Sequence, residues 1–326
     1  MVTGLAVNVL IAAFGWRLLV DATSLKTLLR FATALLVGAV IAVAYAASGG
    51  PALSSIDLVG RESYFYLSTF TNSVWGNLIR PAGLFDEPGA LAMYLTIAVA
   101  LNEAFRRNRR WSAIVLFGGL ISGSLAMLFI AVSYLLFSGA RRALYFVLVA
   151  VVVTIGAMTY DENIASFVDR FFLKRVELVD GRLSGDNRSH QVESFFDVVD
   201  VDITLRGAKV SGYEHFTGID QSSHPFSIYF GYGIFVWIPY AAIILWLLFG
   251  SLFFAPHLRF SCFALFLTLL QRPYIYSMYW GLMIAVLLVT IYRLQRRTSQ
   301  SVDGALEDVS STGLTEADLG FVKKNI

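Results

Sequence analysis

The sequence predicts an all-α fold: a polytopic membrane helix bundle of about 7–9 membrane segments with one large loop on the outer face. Three observations carry that prediction. Of 326 residues, 57% are hydrophobic and only 15% charged, against roughly 45–50% and about 25% in soluble domains, and the mean hydropathy is +0.66. The apolar residues are gathered into runs of spanning length. The basic residues cluster between those runs instead of being spread through them. Net charge is +2, which gives no reason to expect a nucleic-acid partner. The single cysteine, Cys262, lies in an apolar run and excludes an internal disulfide.

Taken in order, spans are expected at 2–20, 28–47, 89–105, 143–159, 228–254 and 274–292, with a shorter apolar run at 259–271 between charged ends. The run 111–137 would make a helix of about 40 Å, longer than the roughly 30 Å of a hydrocarbon core. It is interrupted near its middle by "ISGS" (121–124). Four basic clusters settle how it crosses: Arg17/Lys26/Arg30, Arg106/Arg107/Arg109/Arg110, Arg141/Arg142 and Arg293/Arg296/Arg297. Short basic loops stay in the cytoplasm. All four clusters share that side only if 111–137 is a hairpin turning at Ser122-Gly123-Ser124.

This topology puts the amino terminus, the loop 48–88 and the loop 160–226 on the outer face. The long loop holds seven basic and twelve acidic residues and is expected to form a small folded cap. The chain therefore divides into a membrane domain, 1–297, and a polar tail, 298–326, expected to be unstructured in the cytoplasm.

The chemistry-bearing residues fall in the outer loops. In "NLIRPAGLFDEPGALAMYL", Pro81 and Pro88 restrict the backbone and Gly83 and Gly89 permit turns, so Arg80, Asp86 and Glu87 are presented at the mouth of a helix. A guanidinium there suits a phosphate or diphosphate; the plainer expectation is an ion pair of Arg80 with Asp86 or Glu87. "DGRLSGDNRSHQVESFFDVV" offers Arg182 and Arg188 from a second loop, and two forks can share one anion. "QSSHPFSIYFGYGIFVWIPY" places His224 where the chain re-enters the membrane, beside an aromatic group that includes Tyr229. A neutral imidazole there can accept a hydroxyl proton, while the aromatics read first as an interfacial belt and second as a sugar-stacking platform. Asp200-Val-Asp202 has the spacing of a metal clamp, a short pattern that recurs by chance. The four histidines show no metal-ligand spacing, and neither a P-loop nor a dinucleotide fingerprint is present.

Together, "RPAGLFDEPGALA" leading into a helix, a hairpin after a basic loop, a large loop with "NRSHQVESFFDVV" and "SSHPFSIYFGYGI" at its exit resemble the bacterial O-antigen polymerase and O-antigen ligase superfamily, integral-membrane class C glycosyltransferases. The resemblance covers about residues 60 to 292. Arg80, Gly83, Leu84, Phe85, Glu87 and Pro88 match the first motif, Arg188 best fits the loop arginine with Arg182 next, and His224 with Gly233-Ile234 matches the loop exit. Two departures stand out: "SGSLAM" lacks the arginine that many members carry at the hairpin turn, and Pro225 replaces an amide.

The resemblance implies a multi-pass protein of the bacterial inner membrane whose outer loops are periplasmic. It implies catalytic roles for His224, Arg188 and Arg80 and substrate contacts from Arg182, Glu87 and Tyr229. No metal or other cofactor is expected, because arginines stabilise the leaving diphosphate. The implied partners are an undecaprenyl-diphosphate-linked glycan, membrane lipid and a chain-length regulator protein. Polymerisation of lipid-linked repeat units is the favoured activity. Its alternatives are ligation of finished glycan to lipid A core, a flippase or transporter, and a metal-dependent transferase using Asp200 and Asp202. The nearly charge-free centres of the spans favour interfacial chemistry over transport.

Overall fold

The computed structural model describes residues 2–19, 22–58, 61–85, 87–106, 108–138, 169, 178–179, 182–183, 199–208 and 226–311. The described residues are mostly helical. The helices are α1 (Val2–Leu19), α2 (Ala22–Ala47), α3 (Pro88–Ala104), α4 (Arg109–Gly119), α5 (Leu125–Ser138), α6 (Val201–Arg206), α7 (Ser227–Tyr232), α8 (Ile234–Phe253), α9 (Pro256–Gln271) and α10 (Met278–Ser311). The expected span 143–159 lies outside the described residues.

The centre of the molecule is α3. Its sequence is apolar on every side, so no face prefers water, and all but two of its 17 residues are buried. It packs against α2, α4, α5, α9 and α10. Ser261 of α9 donates to the carbonyl of Ala100 at 2.7 Å, and Tyr240 of α8 donates to that of Leu269 at 2.7 Å, so polar side chains in these helices are absorbed by neighbouring backbone. The first helix closes against the last: Asn8 Nδ2 donates to Ser277 O at 3.2 Å and Arg293 Nη2 to Ala13 O at 2.8 Å.

Among the described residues, two helices are long and apolar enough to cross a membrane, Thr23–Ala47 and Ile234–Phe253. Only 28% and 22% of their apolar windows are buried, which separates them from the core helices of a soluble domain. On α8 the outward residues are Phe235, Leu245, Leu252 and Phe253, a face suited to lipid tails.

The run 111–137 is broken as its length requires. After α4 a single 3₁₀ turn, Leu120–Ser122, leads to Gly123 in the left-handed region at φ 60, and α5 follows. Near the far end of α5, the Tyr134 hydroxyl donates to the carbonyl of Arg109, the first residue of α4, at 3.0 Å. The two helices therefore run back to the same end, as a hairpin.

The all-α expectation needs correction in the loop 48–88. There β1 (Ser54–Leu58), β2 (Arg61–Tyr66) and β3 (Thr69–Thr71) form an antiparallel sheet, and β4 (Val74–Trp75) pairs with β5 (Leu78–Ile79). The segment is rich in aromatic and β-branched residues, which fit a pleated surface better than a helix. Phe65 and Phe70 face each other across β2 and β3 with ring centroids 4.9 Å apart. Tyr66 of β2 and Ile79 of β5 pack on Ala42 and Ala46, seating both sheets on the end of α2. In the long loop, β6 (Leu178–Val179) pairs with β7 (Arg182–Leu183). A second difference concerns the tail: α10 continues to Ser311, past the start at 298 of the segment expected to be unstructured. No proline interrupts 278–311, and Leu, Arg and Gln there favour helix.

Candidate functional site

The stretch 80–89 is fixed at both ends before any side chain is considered. Arg80 N donates to Ser73 O at 3.1 Å, Ala82 N to Phe70 O at 2.8 Å and Phe70 N to Gly83 O at 2.7 Å, so the turn extends the edge of β3. Gly83 takes φ 67, a conformation L-residues avoid, and its N–H donates to Thr69 Oγ1 at 2.7 Å. Pro81, Ala82 and Gly83 are buried. At the other end Pro88 occupies the first position of α3, where its missing N–H costs nothing.

On this scaffold Arg80 reaches the hairpin. Its Nε donates to Ser122 O at 3.0 Å and its Nη2 to Gly123 O at 3.1 Å. Ser122 and Ser124 are buried, and Gly123 lies so close to Arg80 Nε that an added Cβ would sit 3.0 Å from it. One guanidinium thus joins the loop 48–88 to the turn between α4 and α5. Both of these acceptors are neutral backbone carbonyls.

Glu87 takes a different partner, one the sequence did not reveal. It is the N-cap residue of α3, yet its side chain does not cap the helix; it accepts from Arg272 Nη1 in an ion pair. The Arg272 side chain is 7% exposed and that of Glu87 23%. Arg272 also donates to the Tyr274 hydroxyl at 3.1 Å and lies 5.6 Å from the centroid of the same ring. Gly89 is required beside it, because a Cβ there would collide with the guanidinium. Arg272 ends α9 and Glu87 begins α3, so each charge faces the helix terminus of opposite partial charge. The only signal for Arg272 in the sequence was its place at a charged end of the short run 259–271.

Tyr229 sits on α7 in an aromatic group. Its ring lies 6.3 Å from Trp237 and 5.8 Å from Phe230, and Phe226 stacks on Trp237 at 5.9 Å. The group is set by two glycines that let backbones meet. Gly207 (φ 82) abuts Gly231 and Tyr232, and Gly233 (φ 78) abuts Leu205 and Arg206, so α6 lies directly against the α7–α8 joint. Asp200 and Asp202 have local roles in α6. Asp200 Oδ1 accepts from Ile203 N at 2.7 Å as its N-cap, and Asp202 pairs with Arg206 at 3.3 Å. Arg182 lies in β7, paired with Val179. Arg188, His224 and Asp86 lie outside the described residues.

The arrangement offers a rigid doorstep. A loop carrying two charged side chains is tied by Arg80 to a hairpin turn and by Glu87 to the end of α9, at one end of the apolar bundle. Comparison with protein-family models, with curated proteins and with solved structures returned no match.

Proposed function

We propose that this chain is a membrane glycosyltransferase of 7–9 membrane segments that polymerises undecaprenyl-diphosphate-linked oligosaccharide repeat units. The product is O-antigen or a related surface polysaccharide, made at the periplasmic face of the bacterial inner membrane. What carries the reading is the motif Arg80 to Pro88, whose two charged side chains are each held by a remote element at the mouth of α3. The resemblance of that motif, and of the Arg188 and His224 segments, supplies the chemistry.

An acceptor sugar hydroxyl attacks the anomeric carbon of the donor, His224 takes its proton, and the bond from that carbon to the diphosphate oxygen breaks. Undecaprenyl diphosphate leaves with its new charge stabilised by arginine. Arg80 and Arg188 serve that charge, with Arg182, Glu87 and Tyr229 shaping the substrate side. In this reading Arg80 has a second duty: by holding the Ser122-Gly123 turn it fixes the wall against which the diphosphate rests.

The test is elongation by the purified full chain in lipid nanodiscs supplied with lipid-linked repeat units. A ladder of lengthening lipid-linked products supports polymerisation. Transfer of glycan only to added lipid A core establishes ligation instead, and absence of any transfer by folded protein overturns the reading.

A further inference from the structure

The opposite end of α3 carries a second group of ionisable residues that the proposed reaction does not use. Where α3 ends, Arg106 adopts the left-handed conformation at φ 52. Its N–H donates to Glu103 O at 2.9 Å. That position after a helix is the one glycine fills most cheaply, because an L-side chain there meets its own backbone. Here it holds an arginine whose guanidinium Nη2 lies 2.8 Å from His257 Nδ1 at the start of α9. Arginine can only donate, so this ring nitrogen is the acceptor and the imidazole is neutral.

Arg106, Arg109, His257 and Glu103 line one cavity of about 30 Å³, with Tyr134 and Phe260 among its walls. The Glu103 charge is drawn to the inner side, where its carboxylate accepts from Ser112 at 2.5 Å and Tyr134 at 3.3 Å. Arg106 in the loop after α3, Arg109 at the start of α4 and His257 at the start of α9 thus surround a space too small for a sugar or a nucleotide. The N-termini of α4 and α9 lie at the same place and add partial positive charge.

We propose that this cavity binds the phosphodiester of an anionic phospholipid headgroup. Three features favour a lipid as the source of the phosphate. The cavity lies where α3, α4 and α9 turn from apolar to basic sequence, which is headgroup depth for a membrane-spanning bundle. Its lining is partly aromatic, from Phe137 and the buried Phe260, which suits an apolar part of the lipid. Arg106 and Arg109 are exposed on the open side, where a planar fork grips a phosphate through two oxygens.

The experiment uses the full chain in phosphatidylcholine nanodiscs containing a minor fraction of phosphatidylglycerol, reading co-retained lipid by native mass spectrometry and thermal stability in parallel. Phosphatidylglycerol is expected to be retained preferentially and to raise the melting temperature. R106G relieves the left-handed strain, so it folds, and it should lower the preference by about five-fold. R109Q should do the same, whereas R110Q, a neighbouring exposed arginine that does not line the cavity, should change it little. Equal losses in R106G and R110Q would mean diffuse surface attraction and overturn the site. Equal stabilisation by inorganic phosphate in pure phosphatidylcholine discs would overturn the lipid assignment. No step of this test depends on glycan elongation, so it stands or fails apart from the proposed activity.

Discussion

Arg272, which ends α9, is buried in an ion pair with Glu87, which begins α3. Taking two charges out of water is costly, and the pair is retained where each also opposes a helix dipole. Replacing Arg272 with Met removes the buried positive charge beside Glu87 and should cost about 3 kcal/mol. The double variant R272M/E87Q should recover much of that loss. Thermal unfolding of the purified variants checks it: additive losses in the double-mutant cycle would show that the two side chains are not energetically coupled.

Arg80 is predicted to act on the hairpin as well as on substrate. In R80A, amide exchange at residues 122–125 should quicken, and elongation of lipid-linked repeats should fall by ~10²–10³. R80K should recover only part of the activity, since an ammonium keeps the charge and loses the two-pronged geometry. Unchanged exchange at the turn in R80A would remove the anchoring role.

His224 is predicted to be the proton acceptor. H224A, at wild-type abundance, should bind lipid-linked substrate yet elongate it ~10²–10⁴ more slowly. Wild-type activity should decline as pH falls through the histidine range, ordinarily near ~6.5. Near-normal elongation by folded H224A would leave the arginines as the main catalytic device. Elongation should also persist in EDTA; sensitivity to it would move attention to Asp200 and Asp202.

Topology follows from the hairpin. Cysteines at positions 184 and 138, placed singly in a C262A background, should react oppositely with an impermeant maleimide added to intact cells, Ser184→Cys from outside and Ser138→Cys only after permeabilisation. Labelling of both from outside would contradict the even crossing of 111–137.

His257 gives a pH prediction with a definite sign. It precedes the apolar run 259–271, and burial first, then the Arg106 charge, lowers its pKa below the ordinary 6.5. The unfolded chain therefore takes up a proton that the folded chain refuses. Stability should fall as pH drops through about 6.5 and continue to fall until the lowered folded value is passed. H257N should flatten this dependence. A bound lipid phosphate should weaken it too, because an anion favours the imidazolium. Melting temperatures across pH 5 to 8, in discs with and without phosphatidylglycerol, test both statements.

The sequence by itself determined the helical runs, the break at Ser122-Gly123-Ser124 and the segregation of charge to their ends. Each depends on hydropathy, glycine and proline acting over a few neighbouring residues. It also marked Arg80 and Glu87 as unusual, since ionisable groups beside an apolar helix need a reason. It did not tell where their charges go. The plainest expectation joined Arg80 to a carboxylate six or seven residues away. Of these, Glu87 takes Arg272, 185 residues on, while Asp86 lies outside the described residues, and Arg80 also reaches carbonyls 42 and 43 residues on. Only the tertiary structure decides this, because a short-range pair competes with every group that packing brings alongside. Packing beside α3 delivers the end of α9 and the tip of the hairpin to the same loop. The small sheets were missed for a related reason. Their aromatic and β-branched residues were visible, but the strand pairing became favourable only with Tyr66 and Ile79 seated on α2. Local chemistry wrote the segments, and long-range burial chose the partners.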